Sequence, residues 1–579
     1  MKIKFGVLFT ITLLLLSCKS KPKQFEYSGG TFRMSLENGP ISTHTYNIED
    51  YYSATVYKQV MQGLTAIDPK TLKIVPCLAK SWTINDDGTV YTFLLRSDVS
   101  FHPHTALTDE ERRFTAEDVV KSYELICKRD SKGKNSVGYN VLFKNLLVGA
   151  EEFQSGEAKS ISGLVAKNNS IEITLTHRDD NFLYKLASIH ASIHNRKIIA
   201  EGKVTSLIGT GPFILEGNPI KDQRIHLSRN PEYYEKDEDG NQLPYLDAIE
   251  FLVENKKLEQ LELFENQEIN VILGLPASQI TKIVEGRKED FNSKPPLLVL
   301  NRQPMLESHY YFFNMQDSRF EDPRVRKAFN LALNRNKIGR EILRNQYEEL
   351  GNYGIIPPIN NAFRGYDFET VKSAGYDYDP VKAKKLLSEA GFPDGKGFGS
   401  VNLRYNIGEI NSFVADEFAQ QIGQVLGINV NIDGSSFEQL NLDAANGNGD
   451  IFRSAWSADY PNPDNFLHLF YSKNITDLSN NNQGVNNSRY SNPSFDQLLE
   501  EARKQENIGQ KMKLYAKAER ELLINPPIIP LWYSGDMQIM YSNVRNLQFN
   551  SLNYFDFTTV YLKDWTEEEY QKELAKKNK

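Results

Sequence analysis

The sequence has few cysteines. Its 579 residues include only Cys18, Cys77 and Cys127, and no two of them form a CxxC pair. A redox motif and a cysteine-based metal site are therefore unsupported. In an exported protein Cys77 and Cys127 are candidates for one disulfide, but the sequence does not fix the distance between them.

Compact catalytic signatures are also missing. We find no Walker A loop, GxSxG elbow, HExxH pair or GxGxxG turn, and "GTGPF" at 209–213 runs directly into proline. His102 and His104 form an H-x-H pair, but two histidines without a third clustered ligand are more often loop or core residues than zinc ligands. We therefore expect neither an enzyme nor a bound metal or cofactor.

The chain lacks a basic excess. Its 75 acidic residues outnumber its 67 basic residues, which gives a formal net charge of -8. Nucleic-acid binders usually carry a basic face, so no nucleic-acid partner is expected. Aromatic residues make up 11% of the chain, which suits a large core as well as a ligand-stacking surface.

Long apolar runs are absent after the N-terminus. Lys2 and Lys4 precede an apolar run from 5 to 16, which is too short to span a bilayer, and Ser17 and Cys18 close it. This pattern predicts a secretory signal peptide, and "LLSC" resembles a bacterial lipobox. Leu16 departs from it, because a small residue is usual two positions before the cysteine. We expect Cys18 to be lipidated, with residues 1–18 as signal and lipobox and 19–25 as tether. The alternative is ordinary cleavage of the signal peptide, with Cys18 present only incidentally.

Local patterns predict a mixed α/β chain of two or three domains, since one core stops growing at roughly 250 to 300 residues. "SWTINDDGTVYTFLLR" at 81–96 predicts a β-hairpin. Helix starts are predicted at Thr115 with Asp118, at Asp322-Pro323 and at Asn492-Pro493. The charged, turn-rich stretch 218–244 is expected to be a surface loop.

The stretch "WSADYPNPDNF" at 456–466 places Asp459 between two large aromatic residues and before two prolines. The prolines predict irregular structure. From these residues alone Asp459 is expected to cap a turn, because aspartate before turn residues is common. Asp464 is expected to cap the helix that follows.

Eight motifs resemble, in order, those of extracellular solute-binding proteins of the oligopeptide and dipeptide class (family 5), which serve ABC importers. The resemblance covers about Gly30 to Leu562. The motifs are "PCLAKSWTINDDGTVYTFLLRSDVSFH", "FTAEDVVKSYE", "GTGPFIL", "DPRVRKAFNLALNR", "IIPP", "YDYDPVKAKKLLSEAGF", "WSADYPNPDNF" and "YSNPSFDQLLEEA".

The resemblance implies an α/β type II periplasmic-binding-protein fold. Two lobes would be joined by a hinge, with an extra inserted domain and a ligand cleft between the lobes. The implied limits are 26–70, 190–305 and 530–579 for the first lobe, 71–189 for the extra domain, and 306–529 for the second lobe.

The resemblance also implies the ligand-binding residues. Asp459 would pair with the free α-amine of a peptide, and Trp456 and Tyr460 would line the cleft beside it. Arg453 matches a position that meets the ligand's C-terminal carboxylate in some members, and a salt bridge to Asp450 is the alternative. Ala444 and Asn411 stand where other members have a second arginine and a histidine, which leaves peptide length open.

The implied function is a lipid-anchored, monomeric receptor, periplasmic or on the outer cell surface, that captures short peptides and delivers them to the permease subunits of an ABC importer. One alternative keeps the scaffold but changes the ligand to a nickel chelate, haem, an oligosaccharide or a signalling peptide. Another is an exported enzyme or an envelope-assembly lipoprotein.

Overall fold

The computed structural model describes residues 23–275, 279–476 and 484–577. The strands are β1 Thr31–Leu36, β2 Thr65–Ile67, β3 Ile74–Pro76, β4 Ala79–Ile84, β5 Val90–Leu95, β6 Leu164–Lys167, β7 Ser170–Thr174, β8 Phe213–Glu216, β9 Arg224–Arg229, β10 Ala248–Val253, β11 Val271–Leu273, β12 Leu298–Phe313, β13 Glu349–Leu350, β14 Val401–Asn406, β15 Val430–Ser435, β16 Ile451–Ser457, β17 Ile528–Tyr541, β18 Val544–Arg545 and β19 Tyr561–Leu562.

The α-helices are α1 Tyr51–Tyr57, α2 Ala116–Cys127, α3 Ala150–Ser155, α4 Phe182–Leu186, α5 Arg196–Ala200, α6 Lys257–Glu265, α7 Ile280–Gly286, α8 Lys288–Asn292, α9 Pro323–Ala332, α10 Arg335–Lys337, α11 Phe368–Lys372, α12 Pro380–Glu389, α13 Glu409–Leu426, α14 Phe437–Asn446, α15 Asp464–Leu467, α16 Pro493–Lys504, α17 Ile508–Ile524 and α18 Glu567–Lys577. Among the described residues, none of these helices has both the length and the apolar character needed to cross a membrane.

One large mixed sheet runs through both lobes. Its order is β15-β14-β16-β12-β17-β11-β1-β10-β9-β8, and β13 pairs with β17 beside this path. The long strands β12 and β17 pair antiparallel at its centre. Strand β17 also pairs with β11 on the first-lobe side, whereas β12 pairs with β16 on the second-lobe side. The two central strands therefore connect the lobes.

The connection between the lobes is irregular at two places. The β12–β17 register shifts between Pro304 and Ser308 and again between His309 and Tyr310, which interrupts the ladder where the strands pass from one lobe to the other. The largest core takes its buried residues from Leu306 to Tyr533, and a separate core takes its residues from Leu64 to Ile208. The predicted fold class is confirmed, while the sequence-based domain limits stay predictions.

The extra domain is built on the sheet β4-β5-β7-β6. The predicted hairpin is strands β4 and β5, with Tyr91, Phe93 and Leu95 turned into the core. Helix α2 begins with the predicted capping box, in which Thr115 and Asp118 satisfy each other's backbone amides. These contacts are local in sequence, which is why the pattern predicts them.

Two helix starts of the second lobe follow the sequence as well. Asp322 accepts from the backbone amide of Arg324 at the start of α9, and Asn492 caps α16 in the same way. Two other expectations are wrong. The stretch 218–244 contains β9, which pairs with β10 in the large sheet. Asp464 lies inside the first turn of α15, where its carboxylate binds Arg503 at 2.7 Å rather than capping the helix.

A buried carboxylate fixes the motif "IIPP" to α17. Glu519 is 1% exposed and accepts from the backbone amides of Ile355 and Ile356 at 2.6 and 2.8 Å. Gly354 has a φ of +84°, and a Cβ there would lie 2.3 Å from Glu519 Oε1. The position therefore requires glycine for its backbone conformation and for the space that the carboxylate occupies.

Candidate functional site

Strand β16 has a partly free edge in the second lobe. Strand β16 pairs with β12 along its whole length, from Ile451 to Ser457. On its other side it pairs with β14 only at Ile451 and Phe452. In the part of the chain that the structure describes, residues 453–457 therefore have no strand partner on that side. Trp456 belongs to this strand, so the irregular stretch predicted from the prolines begins later than expected.

A cavity of about 290 Å³ lies along this edge. The consecutive residues 453–456 form one wall, with side chains from β12, α14 and the segment 484–488 around them. An unpaired strand edge beside an open cavity offers main-chain donors and acceptors to an extended chain. Farther along the cleft, a second cavity of about 1100 Å³ lies between α6 of the first lobe and α13 of the second.

Asp459 follows directly after this strand. Its side chain is exposed, and no ion pair involving it occurs within the described residues. Its carboxylate accepts a hydrogen bond from the Asn465 side-chain amide at 3.3 Å, and among the described residues it accepts none from a backbone N–H. The expectation that Asp459 caps a turn is therefore wrong, because the neighbouring amide side chain takes that place.

Asn465 organises the loop, and sequence reasoning missed it. Its Oδ1 accepts from the Asp459 backbone amide at 3.1 Å and from Trp456 Nε1 at 3.0 Å. Asn465 is 2% exposed. A buried amide that both donates and accepts is suited to hold two neighbouring segments, and its only sequence signal is its place in the motif.

The Asp459 carboxylate influences two basic side chains of the first lobe, Lys58 and His190. Burial lowers the pKa of Lys58 to about 8, and the Asp459 carboxylate acts in the opposite direction. The pKa of His190 is also lowered by burial, again against the influence of Asp459, while its Nε2 lies 2.7 Å from the Ile48 carbonyl oxygen. At neutral pH only Lys58 supplies positive charge here, because a lowered pKa leaves the His190 ring neutral.

Tyr460 lies against the extra domain. Its ring stacks on Tyr184 at 5.7 Å between centroids, and Asn462 Nδ2 donates to Asn181 Oδ1 at 2.7 Å. Two ion pairs continue the contact, Arg178 with Glu506 at 3.3 Å and Asp180 with Lys511. We call these four pairs the clasp (Tyr184–Tyr460, Asn181–Asn462, Arg178–Glu506 and Asp180–Lys511). The clasp ties the loop that carries Asp459 to the extra domain.

Arg453 does not form the alternative salt bridge with Asp450, because Asp450 is paired with Arg319 at 3.0 Å. Arg453 instead donates to Asn406 Oδ1 at 3.1 Å and to His309 Nδ1 at 3.0 Å. Its other N–H groups find no acceptor among the described residues. Burial lowers the pKa of this guanidinium, and Glu307 opposes the shift. A partly unsatisfied cation of this kind is suited to a carboxylate.

Glu307 sits at the register shift between the lobes. His309 Nε2 lies 2.7 Å from its Oε1, Ser534 Oγ donates to the same oxygen at 2.7 Å, and Ser457 Oγ donates to Oε2. Burial would raise the pKa of Glu307, but these hydrogen bonds outweigh it and hold the pKa well below its usual range. Sequence reasoning missed this group because its members come from three strands.

The resemblance connects two positions, Ala444 and Asn411, with peptide length, and their surroundings differ. Ala444 is buried in α14. Asn411, near the start of α13, donates to the Asn406 carbonyl oxygen at 3.2 Å. Asn411 thus supports Asn406 at the end of β14, and the Asn406 side chain accepts from Arg453.

The remaining candidates lie outside the site. Cys18 falls outside the described residues. Cys77 and Cys127 are both buried free thiols and form no disulfide. His102 is buried against the Gly211 carbonyl oxygen at 2.9 Å, and burial lowers its pKa to about 4. Within the described ranges, no group of three or more histidine, cysteine, aspartate or glutamate residues is placed to hold a metal ion.

Comparison with known proteins finds relatives that are described as peptide-binding proteins. Di/tripeptide-binding protein 1 of Pseudomonas aeruginosa is 26% identical over 514 residues, covering 86% of this chain and 88% of that protein. The periplasmic oligopeptide-binding protein OppA of Salmonella typhimurium is 26% identical over 504 residues, with 85% of each chain covered.

Solved structures share the fold. The periplasmic binding protein DppA from Helicobacter pylori, in complex with peptide STSA, superposes with a TM-score of 0.75 at 24% identity, covering 93% of this chain and 99% of that one. A dipeptide-binding protein from Pseudoalteromonas sp. SM9913, in complex with Met-Leu, gives a TM-score of 0.71 at 22% identity, with 92% and 100% covered.

The family match covers more than half of the chain. Residues 73–477 match the family described as bacterial extracellular solute-binding proteins, family 5 Middle. The matched range includes Arg453, Trp456, Asp459 and Tyr460. The chain belongs to the family 5 bacterial extracellular solute-binding proteins, which are binding proteins and not enzymes.

Proposed function

We propose that this protein is an exported receptor that captures short peptides between its lobes and delivers them to an ABC importer. The observation that carries the proposal is the free edge of β16, which ends close to Asp459, a carboxylate without an ion-pair partner among the described residues. The relatives described as di/tripeptide-binding and oligopeptide-binding proteins support the same ligand class.

In this proposal Asp459 binds the α-amine of the ligand. Two opposite charges about 4 Å apart gain roughly 4 kcal/mol at an effective dielectric constant near 20. Every unmodified peptide carries this amine whatever its side chains, so the contact selects peptides without selecting a sequence. The peptide backbone would pair with residues 453–457, and side chains would occupy the neighbouring cavity.

Arg453 binds the C-terminal carboxylate in the same proposal. Its N–H groups that find no acceptor among the described residues support this role, as does its position in β16 six residues before Asp459. Trp456 lines the cavity wall, and Tyr460 shapes the site through its contact with the extra domain. We further propose that Cys18 carries a lipid anchor, that the chain acts as a monomer, and that the liganded form docks on the permease subunits.

Mass spectrometry of ligands released from the purified protein tests the ligand class. We expect a mixture of short peptides, and refolded ligand-free protein is expected to gain thermal stability when short peptides are added back. Release of haem, a nickel chelate or an oligosaccharide, with no stabilisation by peptides, would overturn the peptide assignment. Stimulation of importer ATPase activity by the peptide-loaded protein tests delivery.

Membrane fractionation tests the anchor separately. The wild-type protein is expected in the membrane fraction and a Cys18→Ser variant in the soluble exported fraction. Identical distribution of the two proteins would remove the anchor while leaving the peptide proposal in place.

A further inference from the structure

Arg453, His309 and Glu307 form a hydrogen-bonded chain of side chains. Arg453 donates to His309 Nδ1 at 3.0 Å, and His309 Nε2 lies 2.7 Å from Glu307 Oε1. Arg453 comes from β16 and the other two residues come from β12. The chain therefore links the candidate carboxylate-binding cation to the irregular crossing between the lobes.

The hydrogen bonds define which nitrogen of His309 carries the proton. A guanidinium only donates, so Nδ1 must accept and the proton of the neutral ring lies on Nε2. Nε2–H then donates to Glu307, which stays ionised because His309, Ser457 and Ser534 all donate to it. Burial lowers the pKa of His309, which keeps the ring neutral. Each member of the chain thus has one role that its neighbours determine.

The imidazole ring is held by packing as well. It stacks on Trp532 with 4.3 Å between centroids and an interplanar angle of 14°, and its side chain is 14% exposed. Asn406 holds the other terminal nitrogen of the guanidinium at 3.1 Å. The guanidinium is therefore held at two points before any ligand arrives, which lowers the entropy lost when a ligand binds.

We propose that His309 is a positioning residue that orients Arg453 toward the C-terminal carboxylate of the ligand, with Glu307 fixing the tautomer of His309. The inference rests on the proposed function of Arg453. It adds a carboxylate–imidazole–guanidinium chain that makes recognition of the carboxylate depend on a residue that does not touch the ligand.

The test compares a tripeptide with the same tripeptide amidated at its C-terminus. His309→Phe keeps an aromatic ring against Trp532 but removes the acceptor for Arg453. His309→Gln offers an amide oxygen to Arg453 and an N–H to Glu307, and serves as the conservative variant. Affinities of both ligands are measured by calorimetry for each variant, in the wild-type background and in an Arg453→Gln background.

The wild-type protein is expected to bind the free-acid peptide more tightly than the amide by about tenfold or more, which is the range for a hydrogen bond to a charged group. His309→Phe is expected to reduce this preference severalfold, and His309→Gln to retain more of it. In the Arg453→Gln background, His309→Phe is expected to have no further effect on the preference, because the two residues act through one contact.

The outcomes separate the inference from the function on which it rests. If the wild-type and Arg453→Gln proteins both bind acid and amide equally, the role of Arg453 fails. If the wild-type protein prefers the acid, Arg453→Gln loses that preference, and His309→Phe keeps it in full, the positioning role is overturned while the function of Arg453 stands. An equal loss of affinity for both ligands in His309→Phe would show a structural role only and would also overturn the inference.

Discussion

Asp459 is a second-lobe carboxylate that influences a basic side chain of the first lobe, Lys58. Lys58 supplies positive charge there, and no ion pair with Asp459 forms within the described residues. A ligand amine can therefore add a direct partner that the protein does not supply. Removing this single charge should affect the ligand far more than the fold, since the side chain is exposed.

Glu519 has the opposite character, because its charge is buried. Burial raises its pKa to about 7, against hydrogen bonds from Tyr366, Ile356 and Ile355. A carboxyl with a higher pKa in the folded than in the unfolded state contributes stability below its unfolded pKa. This contribution is lost as the pH rises through about 7.

The variant Glu519→Gln is therefore expected to remove part of the pH dependence of stability. Between pH 4.5 and 8 the wild-type protein should lose on the order of 2 to 4 kcal/mol of unfolding free energy through this group, and the variant should not. Denaturant unfolding at several pH values measures the difference. Glu285→Gln, at an exposed position, is the matched control and should follow the wild-type protein. Parallel curves for wild type and Glu519→Gln would contradict the raised pKa.

At the scale of elements, the edge of β16 is the main feature. Strand β14 leaves this edge after its pairs at Ile451 and Phe452, so the backbone of 453–457 has no strand partner on that side in the described part of the chain. The Asp459 loop continues from the same strand. An extended peptide would thus be aligned by main-chain hydrogen bonds and held in register by its terminal charges.

Peptides with single N-methyl groups test this alignment. In a strand pair, alternate residues direct their N–H groups toward the partner, so methylation at alternate positions should lower affinity by about tenfold and at the others much less. A calorimetric series on one tetrapeptide methylated at each internal amide measures this pattern. Equal affinities across the series would contradict binding to the strand edge.

The sequence predicts some elements correctly and misses others. Helices α2, α9 and α16 were predictable because their capping residues lie within three positions of the amides they bind. The Asp459 loop was recognisable only as part of a motif order. The pair Glu307 and His309 was not predictable, because Glu307 is bound by Ser457 and Ser534, which lie 150 and 227 residues along the chain. The contacts of Asn465 are only 6 and 9 residues away, but the sequence carries no signal for them beyond the motif itself. The strand β9 was missed because its charged residues resemble those of a loop.

At the scale of the whole molecule, the clasp joins the second lobe to the extra domain. Lys511 in α17 is 8% exposed and is paired with Asp180, and Asn462 reaches Asn181 only three residues from Asp459. These contacts exist only when the two parts lie together. We therefore expect the clasp to favour a closed arrangement of the lobes.

Lys511→Met is expected to weaken this arrangement. The loss of the enclosed ion pair should shift the lobes toward an open form and lower peptide affinity by roughly 3- to 30-fold, without changing the preference between free and amidated peptides. Small-angle scattering with and without peptide, together with calorimetry, measures both effects. Lys517→Met, an exposed position on the same helix, is the matched control. Unchanged affinity and compaction in Lys511→Met would show that the clasp does not influence closure.

The most direct test of the account is a calorimetric titration of ligand-free protein with a tripeptide and with its N-acetylated form. The account predicts that the wild-type protein binds the free-amine peptide roughly 10- to 100-fold more tightly than the acetylated peptide, and that Asp459→Asn removes this difference while leaving the unfolding temperature nearly unchanged. Equal affinity of the wild-type protein for the two peptides, together with unchanged affinity in Asp459→Asn, would contradict it.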